Sequence, residues 1–451
     1  MDERLKKYAT ADVPRYTSYP TAVQFSNDFA PETWVDWLGA LPEDASLSVY
    51  VHIPFCKKMC WYCGCHTTIP NTYERAAVYT RRLLKEIEMT APLLNGPKGR
   101  VKHFHFGGGT PTYLSNEDLG SIVAKVRELF GFAEDAEIAI EMDPRTFNRE
   151  KAFALAEMGF NRASFGVQDF NATVQELVNR IQPYDMVAEC VEDLHAAGIT
   201  SVNFDLMYGL PGQTVDTVIE TAKQAAGLQP DRIAVFGYAH VPWFKKHQKM
   251  IRDEDLPGIE QRYHQAIAIG ETLNANGYTT IGLDHYARND DSMAQALHDG
   301  TLRRNFQGYT VDPADALIGF GCSAISSLPT GFAQSARDMA KWATRIEEGR
   351  LAIDRGLKLS DEDRMRGEII EKLMCFLRAN PRAIATAHGF DAAVLDASYE
   401  KLQPLVADGL CRVEEDGSVI VPEDMRLFVR TVCLAFDAYY QPKPQRHAKA
   451  V

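Results

Sequence analysis

Four of the nine cysteines fall within ten residues, in the stretch HIPFCKKMCWYCGC (52–65). They run Cys56-x3-Cys60-x2-Cys63, with Cys65 two positions further on. Thiolates spaced this closely converge on one soft metal centre, and four unliganded thiols account poorly for such density. Structural zinc takes four ligands, usually as two pairs far apart in the chain. No second CxxC pair exists here, although Cys65 or His66 could complete a set. A four-iron cluster held by three thiolates leaves one iron open to a reactant, and it fits the spacing better than zinc. The other cysteines (Cys190, Cys322, Cys375, Cys411 and Cys433) stand singly and read as small buried hydrophobes.

Further residues could do chemistry at the ends of expected strands. Gly107-Gly108-Gly109-Thr110-Pro111 follows one such strand, and a glycine run lets backbone groups come close to a ligand. Its bland reading is a tight strand-to-helix turn. Glu141, Gln168 and Asp205 offer acceptors for hydroxyls and an ammonium at other strand ends, though each could equally be a cap or a surface residue. Arg180, in LVNRIQP, has the fork that meets a carboxylate bidentately, or is an ordinary helix-end arginine. Tyr50 stands six residues before Cys56 and would otherwise be a core tyrosine.

Strand-like runs alternate with longer helical ones from about residue 46 to 282. The runs 46–53, 101–106, 136–142, 162–167, 200–209 and 231–238 read as strands. Helices are expected over 73–94, 116–130, 149–158, 184–197 and 214–227, with Gly159 and Gly198 as stops. Such alternation implies right-handed parallel βαβ units, in either an open sheet or a partial barrel. The cysteines then sit at the C-terminal end of the first strand, the edge where α/β folds build their sites. Residues 1–40 carry Pro14, Pro20 and Pro31 and read as an irregular arm with a short helix near 31–39. A division follows: arm or lid 1–40, barrel and extension 41–350, mainly helical domain 351–451. In the last, an amphipathic stretch 361–378 precedes a hairpin over 410–421 with Asp416-Gly417 as its two-residue turn, a winged-helix-like pattern.

The chain has 451 residues, 45% hydrophobic and 24% charged, enough apolar side chain for a large core. Its net charge of −13 and the acidic hairpin residues Glu414, Glu415 and Asp416 argue against a nucleic-acid partner. Its N-terminus lacks the apolar region of a secretory signal, and no apolar run reaches the eighteen or so residues needed to span a bilayer. A cytoplasmic protein without a membrane partner is expected, and a monomer.

CxxxCxxC with an aromatic residue, Tyr62, before the third cysteine resembles the signature of the radical S-adenosylmethionine enzymes. The resemblance implies a full or partial (β/α) barrel; the fold class expected is α/β, a partial (β/α)6 barrel with the arm and the winged-helix-like domain. It also implies a [4Fe-4S] cluster on Cys56, Cys60 and Cys63, whose open iron takes the methionine moiety of S-adenosylmethionine. Electron transfer from the cluster then yields a 5′-deoxyadenosyl radical.

VPRYTSYPTAVQF (13–25), HFGGGTPTYL (105–114), SFGVQDFN (164–171), NFDLMYGLPGQT (203–214), NFQGYT (305–310) and GCSAIS (321–326) narrow the likeness to the oxygen-independent coproporphyrinogen III oxidases. That likeness implies an oxidoreductase, a coproporphyrinogen dehydrogenase of heme biosynthesis. It would oxidatively decarboxylate two propionates of coproporphyrinogen III to vinyls, giving protoporphyrinogen IX, with an unidentified reductant and electron acceptor. Heme chaperones share the barrel and the three cysteines but typically lack the arm motif and the fourth cysteine, both present here. By the same likeness Tyr50, Gly108, Gly109, Thr110, Glu141, Gln168, Arg180 and Asp205 contact S-adenosylmethionine, while Ala239, Gln307 and Ile325 lie around one or two adenosyl ligands. Local arginines must pair the substrate carboxylates, Arg15 among them, because the bulk charge opposes binding. The arm motif, with Tyr16 and Tyr19, is expected to close over a flat macrocycle as a lid. The role of Cys65 stays open.

Overall fold

The computed structural model describes residues 1–441. Helices α1 (Glu3–Ala9) and α2 (Pro31–Gly39) lead into six strand–helix units. These are β1 (Leu47–Ile53), α3 (Glu74–Thr90), β2 (Val101–Gly108), α4 (Asn116–Leu129), β3 (Phe132–Met142), α5 (Arg149–Met158) and β4 (Arg162–Gln168). There follow α6 (Ala172–Leu177), α7 (Tyr184–Ala196), β5 (Ser201–Tyr208), α8 (Val215–Gly227), β6 (Arg232–Gly237) and α9 (Ile259–Ala275). An extension carries β7 (Tyr278–Ile281), β8 (His285–Arg288), α10 (Ser292–His298), β9 (Arg303–Asn305), β10 (Gly308–Thr310), β11 (Ala316–Phe320), β12 (Ile325–Leu328), β13 (Gly331–Ser335), α11 (Met339–Glu347) and β14 (Ile353–Lys358). The C-terminal part holds α12 (Asp361–Phe376), β15 (Arg378–Ala379), α13 (Pro381–Ala387), α14 (Asp396–Ala407), β16 (Arg412–Val413), β17 (Val419–Ile420) and α15 (Val429–Cys433).

Local signals make these elements. Ser115 Oγ accepts from Asp118 N and caps α4, and Asn148 caps α5. Gly159, at φ +96°, ends α5 in the left-handed conformation that favours glycine. β1 to β6 pair in parallel and in chain order, as the alternation requires. β11 joins the free edge of β1 in parallel, and antiparallel strands extend both edges into one sheet of twelve strands. This is the partial (β/α)6 barrel, enlarged at both rims by strands whose pairing is non-local.

Strand alternation divides the two faces. Val49, Phe104, Ile140, Phe165 and Phe204 face the helices and form the main apolar core. Tyr50, Glu141, Ser164, Gln168, Asn203 and Asp205 take the other face and stay half-buried, so the concave interior is polar. A parallel sheet covered on one face by helices leaves that polar hollow as the place for a ligand.

A second apolar cluster gathers α12, α14, α15 and the small sheet β15-β17-β16, giving the winged-helix-like pattern. β14 stays with the barrel sheet through its pairing with β13, so that sheet runs past residue 350. Glu414 N donates to Ser418 O, so the hairpin turns through three residues, 415–417, rather than through Asp416-Gly417 alone. Gly417 takes φ +84°, as a three-residue turn with a glycine bulge demands. The arm is more regular than its prolines suggest, because α1, capped by Asp2, buries Leu5 and Ala9 in the C-terminal cluster. Among the described residues no helix is long and apolar enough to cross a membrane.

Candidate active site

The cysteine loop leaves β1 and is held by its backbone. Cys56 N donates to Thr68 O at 3.1 Å and Thr68 N to Pro54 O at 2.8 Å. The glycine run after β2 locks onto the same loop: Gly109 N donates to Ile53 O at 2.9 Å and Thr110 N to Phe55 O at 2.8 Å. Thr110 Oγ1 and Thr67 Oγ1 stand 3.4 and 3.2 Å from Cys56 Sγ. A Cβ on Gly109 would meet Thr67 Oγ1 at 2.6 Å, Phe55 O at 2.7 Å and Cys56 Sγ at 3.0 Å. Only glycine allows this approach.

Cys60 is buried and lies between two guanidiniums. Arg145 Nη2 donates to its Sγ at 3.2 Å and Arg180 Nη1 at 3.3 Å. Asp143 ties the two arginines together, with Arg145 Nη2 at 2.6 Å and Arg180 Nη1 at 3.3 Å. Burial would raise the Asp143 carboxyl, but Arg180 and Arg145 hold it below its usual range. Three residues hold the outer side of the loop: Lys245 Nζ bonds Cys65 O, His247 Nε2 bonds Cys63 O and Gln248 Nε2 bonds Tyr62 O.

The thiols are electrostatically unequal. Burial pushes Cys56 up. The Cys65 thiol donates toward Cys63 and pulls it down to about 6, with His247 and Lys245 adding their charge, while Cys65 itself is pushed up. Of Cys56, Cys63 and Cys65, it is Cys63 whose thiolate the surroundings favour.

The expected S-adenosylmethionine residues converge in the polar hollow. Glu141 Oε2 accepts from Gly108 N at 3.0 Å, and Oε1 stands 3.4 Å from His105 Nε2. Burial would raise this carboxyl, but His105 and the Gly108 N–H outweigh it and hold it low. Asp205, by contrast, is pushed up to about 7 by burial and by the charge of Glu141. Gln168 ends β4 at φ +67°, a left-handed conformation rare for a residue with a side chain and found where function constrains the backbone. Gly166, paired with Asp205, accepts from Arg180 through its carbonyl. Tyr50 stacks on His105 with ring centroids 6.0 Å apart and bonds His52 Nδ1 at 3.1 Å.

Beside this hollow lies a cavity of about 660 Å³. Arg15, Arg262, Arg304 and Arg430 line it, with Tyr208, Tyr238, Phe306 and Trp243. Among the described residues, no hydrogen-bond partner meets the buried nitrogens Arg262 Nε and Arg304 Nη1. Of the acidic residues on the wall, Asp284 is paired with His285 at 2.8 Å and Asp253 with His240 at 2.9 Å. Ala239 and Gln307 line the cavity too, and Ala239 O accepts from Gln248, which also holds the cysteine loop. Ile325 does not reach it: this residue lies on β12 with its carbonyl against Gly319, the partner of Tyr50. The arm divides residue by residue. Arg15 and Thr17 face the cavity, whereas Tyr16 and Tyr19 turn away into the C-terminal cluster, where Tyr16 Oη donates to Asp437. The two tyrosines are thus not surfaces for a macrocycle.

These residues fit an iron–sulfur cluster. The glycine cradle closes over Cys56, and two cations stand at Cys60. Among the described residues no three metal-binding side chains meet at the spacing of a single ion. A four-iron cluster seats each thiolate on a different iron, so Cys56, Cys60 and Cys63 need not converge on one point. Sequence reasoning missed Arg145 and Asp143, although Asp143-Pro144-Arg145 at the end of β3 is the same strand-end signal that marked Glu141. It also missed Arg262, Arg304 and Arg430, which no local pattern distinguishes from other arginines.

Residues 50–225 match the family model of the radical SAM superfamily, and the barrel with its cysteine loop defines the chain as a radical S-adenosylmethionine protein. The chain is 47% identical over 444 residues to an oxygen-independent coproporphyrinogen III oxidase of Bradyrhizobium diazoefficiens, covering 98% of each. To that of Escherichia coli it is 41% identical, covering 95% of this chain and 93% of the relative. The solved structure of the E. coli coproporphyrinogen III oxidase, a radical SAM enzyme, superposes with a TM-score of 0.90 at 38% identity, over 95% of this chain and all of that one. The chain belongs to the oxygen-independent coproporphyrinogen III oxidase family.

Proposed function

We propose that the four-arginine cavity receives the carboxylates of coproporphyrinogen III beside the cysteine loop. The chain is an oxidoreductase of heme biosynthesis that oxidatively decarboxylates two propionate side chains to vinyls, giving protoporphyrinogen IX. The observation that carries the reading of the cavity is the set of inward guanidiniums on a protein of net charge −13, two of them with buried nitrogens left without partners. A buried donor without a partner is costly unless a ligand completes it, and a tetracarboxylate completes several at once.

The cofactors are a [4Fe-4S] cluster and S-adenosylmethionine; together they supply the 5′-deoxyadenosyl radical that removes hydrogen from an unactivated C–H bond. Cys56, Cys60 and Cys63 would hold the cluster, and Cys65 would donate to Cys63. Glu141, kept ionised by His105 and Gly108, suits the methionine ammonium, while Arg180 suits its carboxylate. Gly108, Gly109 and Thr110 would line the methionine with backbone, and Tyr50, Gln168 and Asp205 would meet the adenosyl group. A second S-adenosylmethionine, expected from the family likeness, would share the cavity through Ala239 and Gln307; Ile325, against Gly319 beside Tyr50, would lie on the side of the first. Arg15, Arg262, Arg304 and Arg430 would orient the propionates and keep their charges out of water.

All nine cysteines are free, which supports a reducing, cytoplasmic location. Anaerobic turnover of coproporphyrinogen III tests the reading. Release of carbon dioxide with protoporphyrinogen IX and 5′-deoxyadenosine is expected. Tight heme binding without any decarboxylation would overturn it in favour of a chaperone.

A further inference from the structure

Segment 241–250 (VPWFKKHQKM) leaves large apolar side chains in water. Trp243 is 49% exposed, Phe244 70% and Met250 58%, with Lys246 and Lys249 exposed among them. Single exposed hydrophobics are ordinary, but three within eight residues, interleaved with lysines, form a patch that calls for a partner. The patch is also the outer wall of the cysteine loop. Lys245 Nζ lies 5.5 Å over the Phe244 ring and bonds Cys65 O, and His247 bonds Cys63 O. The loop adds Lys57 and Lys58, both exposed.

Acidic neighbours do not cancel this charge. Asp253 pairs with His240, while Glu254 and Asp255 pair with Arg252. Five lysines therefore surround the cysteines on a chain of net charge −13. Neither the fold nor the substrate cavity needs Phe244, Lys246 or Lys249.

We propose that segment 241–250, with Lys57 and Lys58, docks a small acidic electron-transfer protein that delivers one electron to the iron–sulfur cluster. The inference rests on the function proposed above, which requires a reductant. The donor's metal centre is oxidised by one electron and the cluster is reduced by one; no bond is made and no proton moves. An aromatic centre with a lysine rim suits a brief encounter, in which charge steers approach and a small apolar contact sets orientation.

The test uses the cluster-loaded chain and, as probe, a plant-type [2Fe–2S] ferredoxin of net negative charge. Binding is measured anaerobically by surface plasmon resonance at increasing salt. The wild type should bind with a Kd that rises with salt, and K246E/K249E should raise that Kd about tenfold or more. Phe244→Ala should weaken binding as well. The milder K246Q/K249Q pair should fall between wild type and K246E/K249E. Iron content and dithionite-driven decarboxylation should be unchanged in all of these variants. No binding by the wild type, or equal binding by K246E/K249E, overturns the inference. So does binding to phosphatidylserine vesicles, lost in the same variants, in place of ferredoxin, which would make the patch a membrane contact. Failure of dithionite-driven decarboxylation in the wild type would instead count against the proposed function and leave the binding result standing.

Discussion

Arg262→Met separates the proposed substrate contact from the fold, because the two predict opposite signs. Arg262 packs over the Tyr208 ring, 5.9 Å from its centroid, and close against Gly209. Its Nε is buried without a partner, and burial holds the guanidinium below its usual pKa. Methionine keeps most of the stem's packing and removes the charge. A charge-assisted hydrogen bond to a carboxylate is worth about 1.5–3 kcal/mol. At about 1.4 kcal/mol per factor of ten, its loss lowers kcat/KM about 10- to 150-fold. Stability should move the other way, since deleting an unpaired buried donor is neutral or stabilising by about 1–3 kcal/mol. The assay is anaerobic decarboxylation of coproporphyrinogen III, read beside substrate-free cleavage of S-adenosylmethionine and chemical denaturation. Cleavage should be unchanged. Undiminished kcat/KM would refute the cavity as the carboxylate site; an equal loss of cleavage, or a fall in stability, would show that Arg262 supports the barrel rather than the substrate.

Cys56→Ser, Cys60→Ser and Cys63→Ser should each lose iron and sulfide on analysis, whereas Cys65→Ser, which keeps a donor beside Cys63, should retain both. Gly109→Ala must displace Thr67 and the Phe55 carbonyl, overpacking worth about 1–3 kcal/mol; reduced cluster loading in a protein of native circular dichroism is the expected result, and full loading would contradict the cradle. Glu86 lies buried between Gly321 N and Trp342 Nε1, and burial pushes its carboxyl up to about 7. Its native state therefore binds the proton more tightly than the unfolded chain, so stability is lost as pH rises from about 4.5 through 7, by on the order of 3 kcal/mol. Denaturation across that window should show the slope in the wild type and a flatter profile in Glu86→Gln.

What could be read in the sequence was what neighbours in the chain decide. Cys56, Cys60 and Cys63 share one loop, Gly108 and Gly109 close one strand, and the capping and alternation signals are local, so motif and strand order were legible together, while the choice of barrel over open sheet came from the family likeness. Glu141 and Asp205 were legible because alternation determines which face a strand residue takes. Position 15, by contrast, joins 262, 304 and 430 only after the arm, α9, the extension and α15 have packed, and nothing within a few residues of any of them marks that meeting. The arm tyrosines failed for the same reason: their ring chemistry suits a macrocycle, but the C-terminal cluster buries them first. Arg145 and Arg180 both donate to Cys60 and share Asp143, a junction of segments far apart in the chain. Local chemistry, written in spacing, belonged to the sequence; the partners of each charge were decided by long-range packing, because a guanidinium acquires its role from whichever carboxylate or sulfur the fold brings to it.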